Sequence, residues 1–291
     1  MAASRALGDF PLAGKIVVIT GGGSGIGLAF AKACLAASAR VLIGDLKLTP
    51  EAEALIRESS SGKIHFTECD VTQWAHLQNL ITFSTSRFGD VPDVYAPIAG
   101  VFEPPWSNFW DDTEDESYAQ IAINVSHPIK LTRIAMRALL SKDKKGVVVI
   151  TASVAGLSGI YLASLYCATK HAIVGFVKSM GDADAEEGVK VVCICPGMVM
   201  SPLWTDRTDT RMEDFGAATI PTLEPADIAE KIVELVVDGK HVGGTVMMKT
   251  PDAEEIVFKG PGRPDAEGRP RFGSLGPIKR VLDKERGSAL R

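Results

Sequence analysis

Lys15–Gly27, KIVVITGGGSGIG, decides the fold of this 291-residue chain. Residues 15–20 are an apolar, β-branched run of strand length. The run enters a glycine turn without a break, and the turn enters LAFAKACLAA at 28–37, which reads as a helix. A buried strand, a glycine turn and a helix N-terminus make a pyrophosphate site. Glycines let the backbone approach the phosphates, and the free N–H groups and helix dipole attract their charge. The turn residues implied are Gly21, Gly23, Ser24, Gly25, Ile26 and Gly27. A second strand at 40–44 ends at Asp45, which Leu46 follows. An acid there accepts hydrogen bonds from adenosine ribose hydroxyls and repels a 2′-phosphate, so NAD is expected in preference to NADP. The order strand, turn, helix, strand, acid carries this reading; the glycines alone would not.

Outward from this stretch, strand signals recur at 63–67, 93–98, 146–152, 189–195 and 243–248. Helical patterns fall near 25–38, 50–59, 73–88, 117–140, 164–186 and 225–237. This alternation predicts an α/β fold, a single-domain Rossmann-type doubly wound sheet of about seven parallel strands with helices on both faces. Residues 1–260 are read as one NAD-binding and catalytic domain. Ligands gather at the carboxyl ends of such strands. Asp45 ends the second strand, Asp70 follows the third, Ala99–Gly100 the fourth and Pro196–Gly197 the sixth, while Ser153 ends the fifth.

Ser153 stands thirteen residues before Tyr166, and Tyr166 stands four before Lys170. Residues four apart share a helix face, which places an ammonium beside a phenol. An opposite charge favours the phenolate, so Tyr166 is expected to ionise more easily and to act as general acid/base, with Ser153 holding the oxygen it serves. An incidental surface pair is the bland reading of Tyr166 and Lys170; the serine and the dinucleotide turn argue against it. His127 and His171 are read as structural or surface groups. Pro128 is expected to bend its helix.

Composition narrows the class. A 46% hydrophobic content supports a sizeable core, and the formal charge of −5 offers no basic face for nucleic acid. No apolar run reaches membrane-spanning length, and the N-terminus lacks the apolar core of a secretory signal. Cys34, Cys69, Cys167, Cys193 and Cys195 form no CxxC pair, so no metal site is expected and reduced, buried thiols of a cytoplasmic enzyme fit.

These motifs resemble the short-chain dehydrogenase/reductase family over roughly residues 13–248. The resemblance rests on TGGGSGIG, Asp45, CDV at 69–71, Ala99–Gly100, INVSHP at 123–128, Ser153, YCATK at 166–170 and PGMVMS at 196–201. YCATKHAIVGF with the late TVMMK is similar to the 15-hydroxyprostaglandin dehydrogenase-like branch. The resemblance implies a tetrad of Asn124, Ser153, Tyr166 and Lys170. Tyr166 would exchange the proton with the substrate, Lys170 would bind the nicotinamide ribose, and Asn124 would hold a water in the proton path. Asp70, with Val71 beside it, would contact the adenine; Pro196, Gly197, Val199 and Ser201 would line the nicotinamide. A homodimer or homotetramer through the 117–140 and 164–186 helices is implied as well. One departure stands out: Pro97-Ile98 replaces the family's Asn-Asn before Ala99–Gly100, and local repacking is expected.

The activity expected is NAD(H)-dependent interconversion of a secondary alcohol and a ketone, the substrate a moderately apolar small molecule. The alternatives are a redox-neutral isomerase or cyclase on the same scaffold, and a non-catalytic NAD(H)-sensing protein. The other reading of Asp45 is a cap on the turn after it, and that of Asp70 an N-cap on the helix beginning near Gln73. The loops at 101–117 and 203–222 fall on the ligand side, and Trp106, Trp110, Trp204, Met212 or Phe215 is expected either to wall the substrate or to pack on the body. The tail, 261–291, is basic and rich in glycine and proline; it is expected to be disordered or to wrap the surface, without adding to the core.

Overall fold

A computed structural model describes residues 4–59, 62–112, 117–205, 220–260 and 275–288. Strand β1 (Ile16–Thr20) is buried at every position, as a strand covered on both faces must be. With β2 (Arg40–Asp45), β3 (Ile64–Glu68), β4 (Val94–Pro97), β5 (Gly146–Thr151), β6 (Val189–Pro196), β7 (Val246–Lys249) and β8 (Glu254–Phe258) it forms one sheet of order β3-β2-β1-β4-β5-β6-β7-β8. All neighbours are parallel except β7 and β8.

The eighth strand was not anticipated. Glu254–Phe258 is a short antiparallel edge strand opening on two exposed glutamates, too polar at its start to read as a buried run. The others match the expected strands within a few residues.

Strand side chains alternate between two cores. Val18, Leu42, Tyr95, Val148 and Val191 pack on one face; Val17, Ile19, Val41, Val94, Val147 and Val192 on the other. Helices α1 (Gly25–Ala36) and α9 (Pro225–Val237) cover the second face with Phe30, Ile228 and Ile232. Helices α3 (Trp74–Phe88), α5 (His127–Ser141) and α6 (Ser164–Ser179) cover the first with Leu77, Leu131 and Ile173. Helix α2 (Pro50–Glu58) and the short α8 (Pro202–Thr205) complete the connections.

Two expected helices are interrupted. The 164–186 segment breaks at Gly181 into α6 and α7 (Asp182–Glu187), where the Gly243–Gly244 turn passes against the Gly181 backbone. The 117–140 segment starts as α4 (Ala119–Ile121), widens into a π-helical turn at Ala122–Ser126, and continues as α5. Pro128 lies just past that turn and cannot donate a backbone N–H.

Residues 261–274 and 289–291 of the tail lie outside the described residues. Within 275–288, α10 (Gly276–Glu285) lies on α5: Glu285 accepts from Arg133 at 2.9 Å, and Arg286 reaches Glu187 at 2.6 Å. Leu282 is buried in the first core. The expectation that this segment adds nothing to the core overlooked one leucine on a helix whose other large apolar side chains, Ile278 and Val281, are exposed. Among the described residues no helix is long and apolar enough to cross a membrane.

Candidate active site

A cavity of about 480 Å³ opens over the point where β1 and β4 run side by side and the strand order reverses. Loops from six strand ends line it, as a parallel sheet arranges. At one end is the glycine turn. Gly21 has φ +72°, and a Cβ there would lie 2.6 Å from the backbone of Ala99. A Cβ on Gly27 would lie 2.0 Å from the Gly21 carbonyl oxygen. The turn, the 98–100 loop and α1 therefore close on one another only because both residues are glycine.

Gly21, Ser24, Gly25, Ile26 and Gly27 line the cavity. Ser24 is the N-cap of α1, yet its side chain makes no capping bond and the first turn holds no acid. The helix thus presents backbone N–H groups to the cavity without a side-chain acceptor, a donor set that fits a pyrophosphate. Asp45 and Leu46 stand beside it with Asp70, Val71, Ala99 and Gly100. Asp45 Oδ2 accepts from Gly23 N–H at 2.9 Å, and Oδ1 accepts from Leu46 N–H at 2.7 Å. Gly23 itself sits behind the wall as the donor that orients Asp45. Asp70 Oδ1 accepts from the Thr72 N–H at 2.9 Å and its hydroxyl at 2.7 Å, while Gln73 is the N-cap of α3. Asp70 therefore forms a turn before that helix and does not cap it.

At the other end stand Ser153, Tyr166 and Lys170, with Pro196, Gly197, Val199 and Ser201 on the facing loop. Ser153 ends the β5 loop, where its hydroxyl accepts from Ala155 N–H at 3.2 Å and caps a 3-10 turn. Tyr166 and Lys170 share one buried face of α6. Lys170 Nζ lies over the Tyr166 ring, 5.4 Å from its centroid, and donates to the Thr151 carbonyl at 3.1 Å.

Burial dominates the electrostatics. It pushes the Tyr166 phenol up to about 12, although the Ser153 hydroxyl beside it pulls down. It also lowers Lys170 to about 8. The easier ionisation expected of Tyr166 is therefore not realised in the protein alone: desolvation penalises the charged form of both partners.

Asn124 does not line the cavity. Its side chain grips Val101, accepting from the N–H at 2.9 Å and donating to the carbonyl at 2.9 Å, with Thr169 Oγ1 3.3 Å from Nδ2. The π-helical turn puts it there: His127 N–H bonds to Ala122, skipping the Ile123 carbonyl, which accepts instead from His127 Nδ1 at 3.2 Å. With Nδ1 carrying the proton, Nε2 accepts from the Thr20 hydroxyl at 3.0 Å. This link brings the end of β1 to the π turn, in the neighbourhood of the replaced asparagines. The Thr20 carbonyl accepts from both Ile98 and Ala99 N–H, so Pro97 withholds nothing the ladder needs. His127 is buried and held near 4 by that burial, hence structural; His171 is exposed, its Nδ1 near the Cys167 carbonyl. The five cysteines are buried and free.

The apolar wall next to Tyr166 is Phe102, 4.8 Å away edge-on, which in turn meets the Trp204 ring at a tilt, 4.5 Å between centroids. Trp204 was among the expected wall residues. Trp106 and Trp110 are exposed outside the cavity, and Met212 and Phe215 lie outside the described residues. Phe102 and Glu103, which contacts the Tyr166 backbone, were missed; a lone aromatic or acid in a loop carries no period that would single it out.

The short chain dehydrogenase family model matches residues 15–212. L-fucose dehydrogenase of Bos taurus is 31% identical over 252 residues, covering 83% of this chain and 90% of that protein. D-beta-hydroxybutyrate dehydrogenase of Cupriavidus necator is 31% identical over 249 residues, covering 83% and 88%. The crystal structure of gox2181 superposes with a TM-score of 0.70 at 23% identity, over 82% of this chain and 95% of that one, a likeness of fold. The glycine turn, the Ser153–Tyr166–Lys170 wall and these relatives agree: the chain belongs to the short-chain dehydrogenase/reductase family and is a nicotinamide-dependent oxidoreductase of secondary alcohols and ketones.

Proposed function

We propose that this enzyme uses NAD(H) rather than NADP(H) and acts on an uncharged, apolar secondary alcohol or its ketone. One observation carries the proposal: a single cavity joins an uncapped helix N-terminus and Asp45 at one end to Tyr166, Ser153 and an aromatic wall at the other. The α1 N–H groups hold the pyrophosphate, and Asp45 takes the adenosine ribose hydroxyls with its remaining lone pairs. When bound, the dinucleotide supplies a carbon that accepts or releases hydride.

Ser153 donates to the substrate oxygen, and Tyr166 takes the hydroxyl proton in oxidation or returns it in reduction. Lys170 holds the nicotinamide ribose and lends its charge to the phenol side. Asn124 fixes the Val101 loop and stands where a water can carry the proton outward; Pro128 supplies no α-helical N–H to its carbonyl.

The substrate end, among the described residues, is lined by Phe102, Val154, Ile160, Leu203, Trp204 and Ile220. Among the described residues nothing there complements a carboxylate or a ring of hydroxyls. The relatives' names cite a sugar and a hydroxy acid, but this wall favours an alicyclic or aromatic alcohol. The test is a panel of cyclohexanol, menthol, L-fucose and D-beta-hydroxybutyrate with NAD or NADP, read by absorbance of the reduced nicotinamide. Turnover of the apolar alcohols with NAD is expected. Preference for either polar substrate, or for NADP, refutes the corresponding half of the proposal. Product without net reduced nicotinamide would point to redox-neutral chemistry instead.

A further inference from the structure

We infer that Glu103 is a positioning residue that fastens the substrate-side loop to the backbone of Tyr166 and so fixes where the phenol stands. The inference rests on the reading of Tyr166 as the proton-transfer group.

Helix α6 begins without a cap of its own. Its N-cap is Ala163, which has no side-chain oxygen, and its first turn carries no acid. The first N–H groups of a helix have no partner within it, and alanine is a poor residue to satisfy them. Ser164 does not help, since its hydroxyl is buried without a hydrogen-bond partner. The acceptor arrives from 63 residues away: Glu103 Oε1 takes the Tyr166 N–H at 3.0 Å, in a buried bond. A carboxyl oxygen at a helix N-terminus also meets the favourable end of the dipole.

Glu103 is held there against its own preference. It is 1% exposed, and its φ of +34° lies in the left-handed region that residues with a Cβ seldom adopt. Backbone strain of this kind persists where the surroundings over-determine it, and it gathers at functional sites. The surroundings are visible residue by residue. Asn124 holds Val101 by both its N–H and its carbonyl. Phe102 lies edge-on to the Tyr166 ring. Glu103 then takes the Tyr166 N–H. Asn124, a three-residue strap and Tyr166 are thus one chain of contacts, and the strap grips the tyrosine by ring and by backbone. Farther along the loop, Trp110 Nε1 donates to the Leu162 carbonyl at 3.2 Å, tying it also to the approach to α6.

The test uses the full chain with saturating NAD and menthol as probe. Glu103→Ala removes the acceptor; Glu103→Gln keeps an oxygen at nearly the same place. Proton transfer is sensitive to sub-ångström placement, so Glu103→Ala should lower kcat by about tenfold or more, with KM for menthol and NAD affinity within about twofold of wild type. Glu103→Gln should restore kcat to within about threefold. A cap that served stability alone would lower Tm and leave kcat unmoved below the melting range. Wild-type kcat in Glu103→Ala, or a Glu103→Gln enzyme as slow as Glu103→Ala, overturns the inference.

Hydrogen exchange at the Tyr166 amide, which needs no turnover, decides the matter when Glu103→Ala fails to fold or wild type leaves menthol untouched. Slow exchange in wild type and Glu103→Gln is expected, with fast exchange in Glu103→Ala where that variant folds; fast exchange in wild type overturns the inference. An absence of turnover with every alcohol in the panel counts against the oxidoreductase roles and leaves the exchange result to judge Glu103.

Discussion

The two ends of the cavity are built from different materials. The dinucleotide end is backbone: glycines closing on one another, uncapped N–H groups of α1, and an acid held by Gly23 only 22 residues away. The substrate end is side chain: Phe102 against Tyr166, Glu103 on its N–H across 63 residues, Lys170 on Thr151, Asn124 on Val101. On the proposed reading, a backbone cradle takes what every nicotinamide dinucleotide contains, a pyrophosphate. A side-chain wall can be exchanged residue by residue, and so it can set which alcohol enters. The two ends meet at Thr20 and His127, where the end of β1 is bonded to the π turn that carries Asn124.

The division is tested most severely at Tyr166. Tyr166→Phe removes the phenol oxygen and leaves every backbone contact of the glycine turn in place. General acid/base catalysis is worth about 10²–10⁴-fold, so kcat should fall by that order while NAD affinity stays at the wild-type value. Turnover near normal would contradict the assignment, and a parallel loss of NAD binding would show that the two ends are not separable.

The seam should fail in acid. Burial lowers His127 to about 4 from 6.5, so between these values the unfolded chain binds a proton that the folded chain refuses. Stability therefore falls as pH drops from about 6.5 to about 4, by on the order of 3 kcal/mol from this group. Urea midpoints measured across that range should decline in wild type and decline less steeply in His127→Asn. Equal slopes would mean that the seam does not sense protons.

How much of this was legible follows the same division. The glycine turn and Asp45 are close in sequence, and Ser153, Tyr166 and Lys170 fall on one loop and one helix, so spacing reveals them. Glu103 reaches Tyr166 from another loop, and only the packed structure shows that Ala163 leaves the helix uncapped for it. His127 reads as a structural histidine, but its bond to Thr20 depends on a π-helical register no periodicity announces. Phe102 could not be told from Trp106 and Trp110, because a loop has no phase to aim its side chains. β8 was missed because its leading glutamates disguise an edge strand.

Gly27→Ala acts on the opposite end from Tyr166→Phe. The added methyl would meet the Gly21 carbonyl at 2.0 Å, a backbone atom that can yield only by opening the turn. Overpacking of this kind costs about 1–3 kcal/mol, here drawn from the pyrophosphate cradle. NAD affinity, followed by tryptophan fluorescence, should weaken by about tenfold, while kcat at saturating NAD stays within about threefold of wild type. A collapse of kcat with affinity intact would place the chemistry, rather than the cradle, at this turn.

Phe102→Leu gives the smallest effect and the sharpest one for the substrate wall. Leucine keeps the site apolar but loses the edge-on contact with Tyr166 and the tilted ring contact with Trp204. Aromatic pairs contribute about 0.5–1.5 kcal/mol beyond the area they bury, so a ring-bearing alcohol should lose about threefold to tenfold in kcat/KM. Because the strap is also anchored by Val101 and Glu103, the loss should appear in KM for menthol more than in kcat. An equal fall in kcat would mean that the Phe102 ring, and not the Glu103 carboxyl, holds the phenol in place, and the Glu103→Ala enzyme would then show wild-type kcat beside a slow Phe102→Leu.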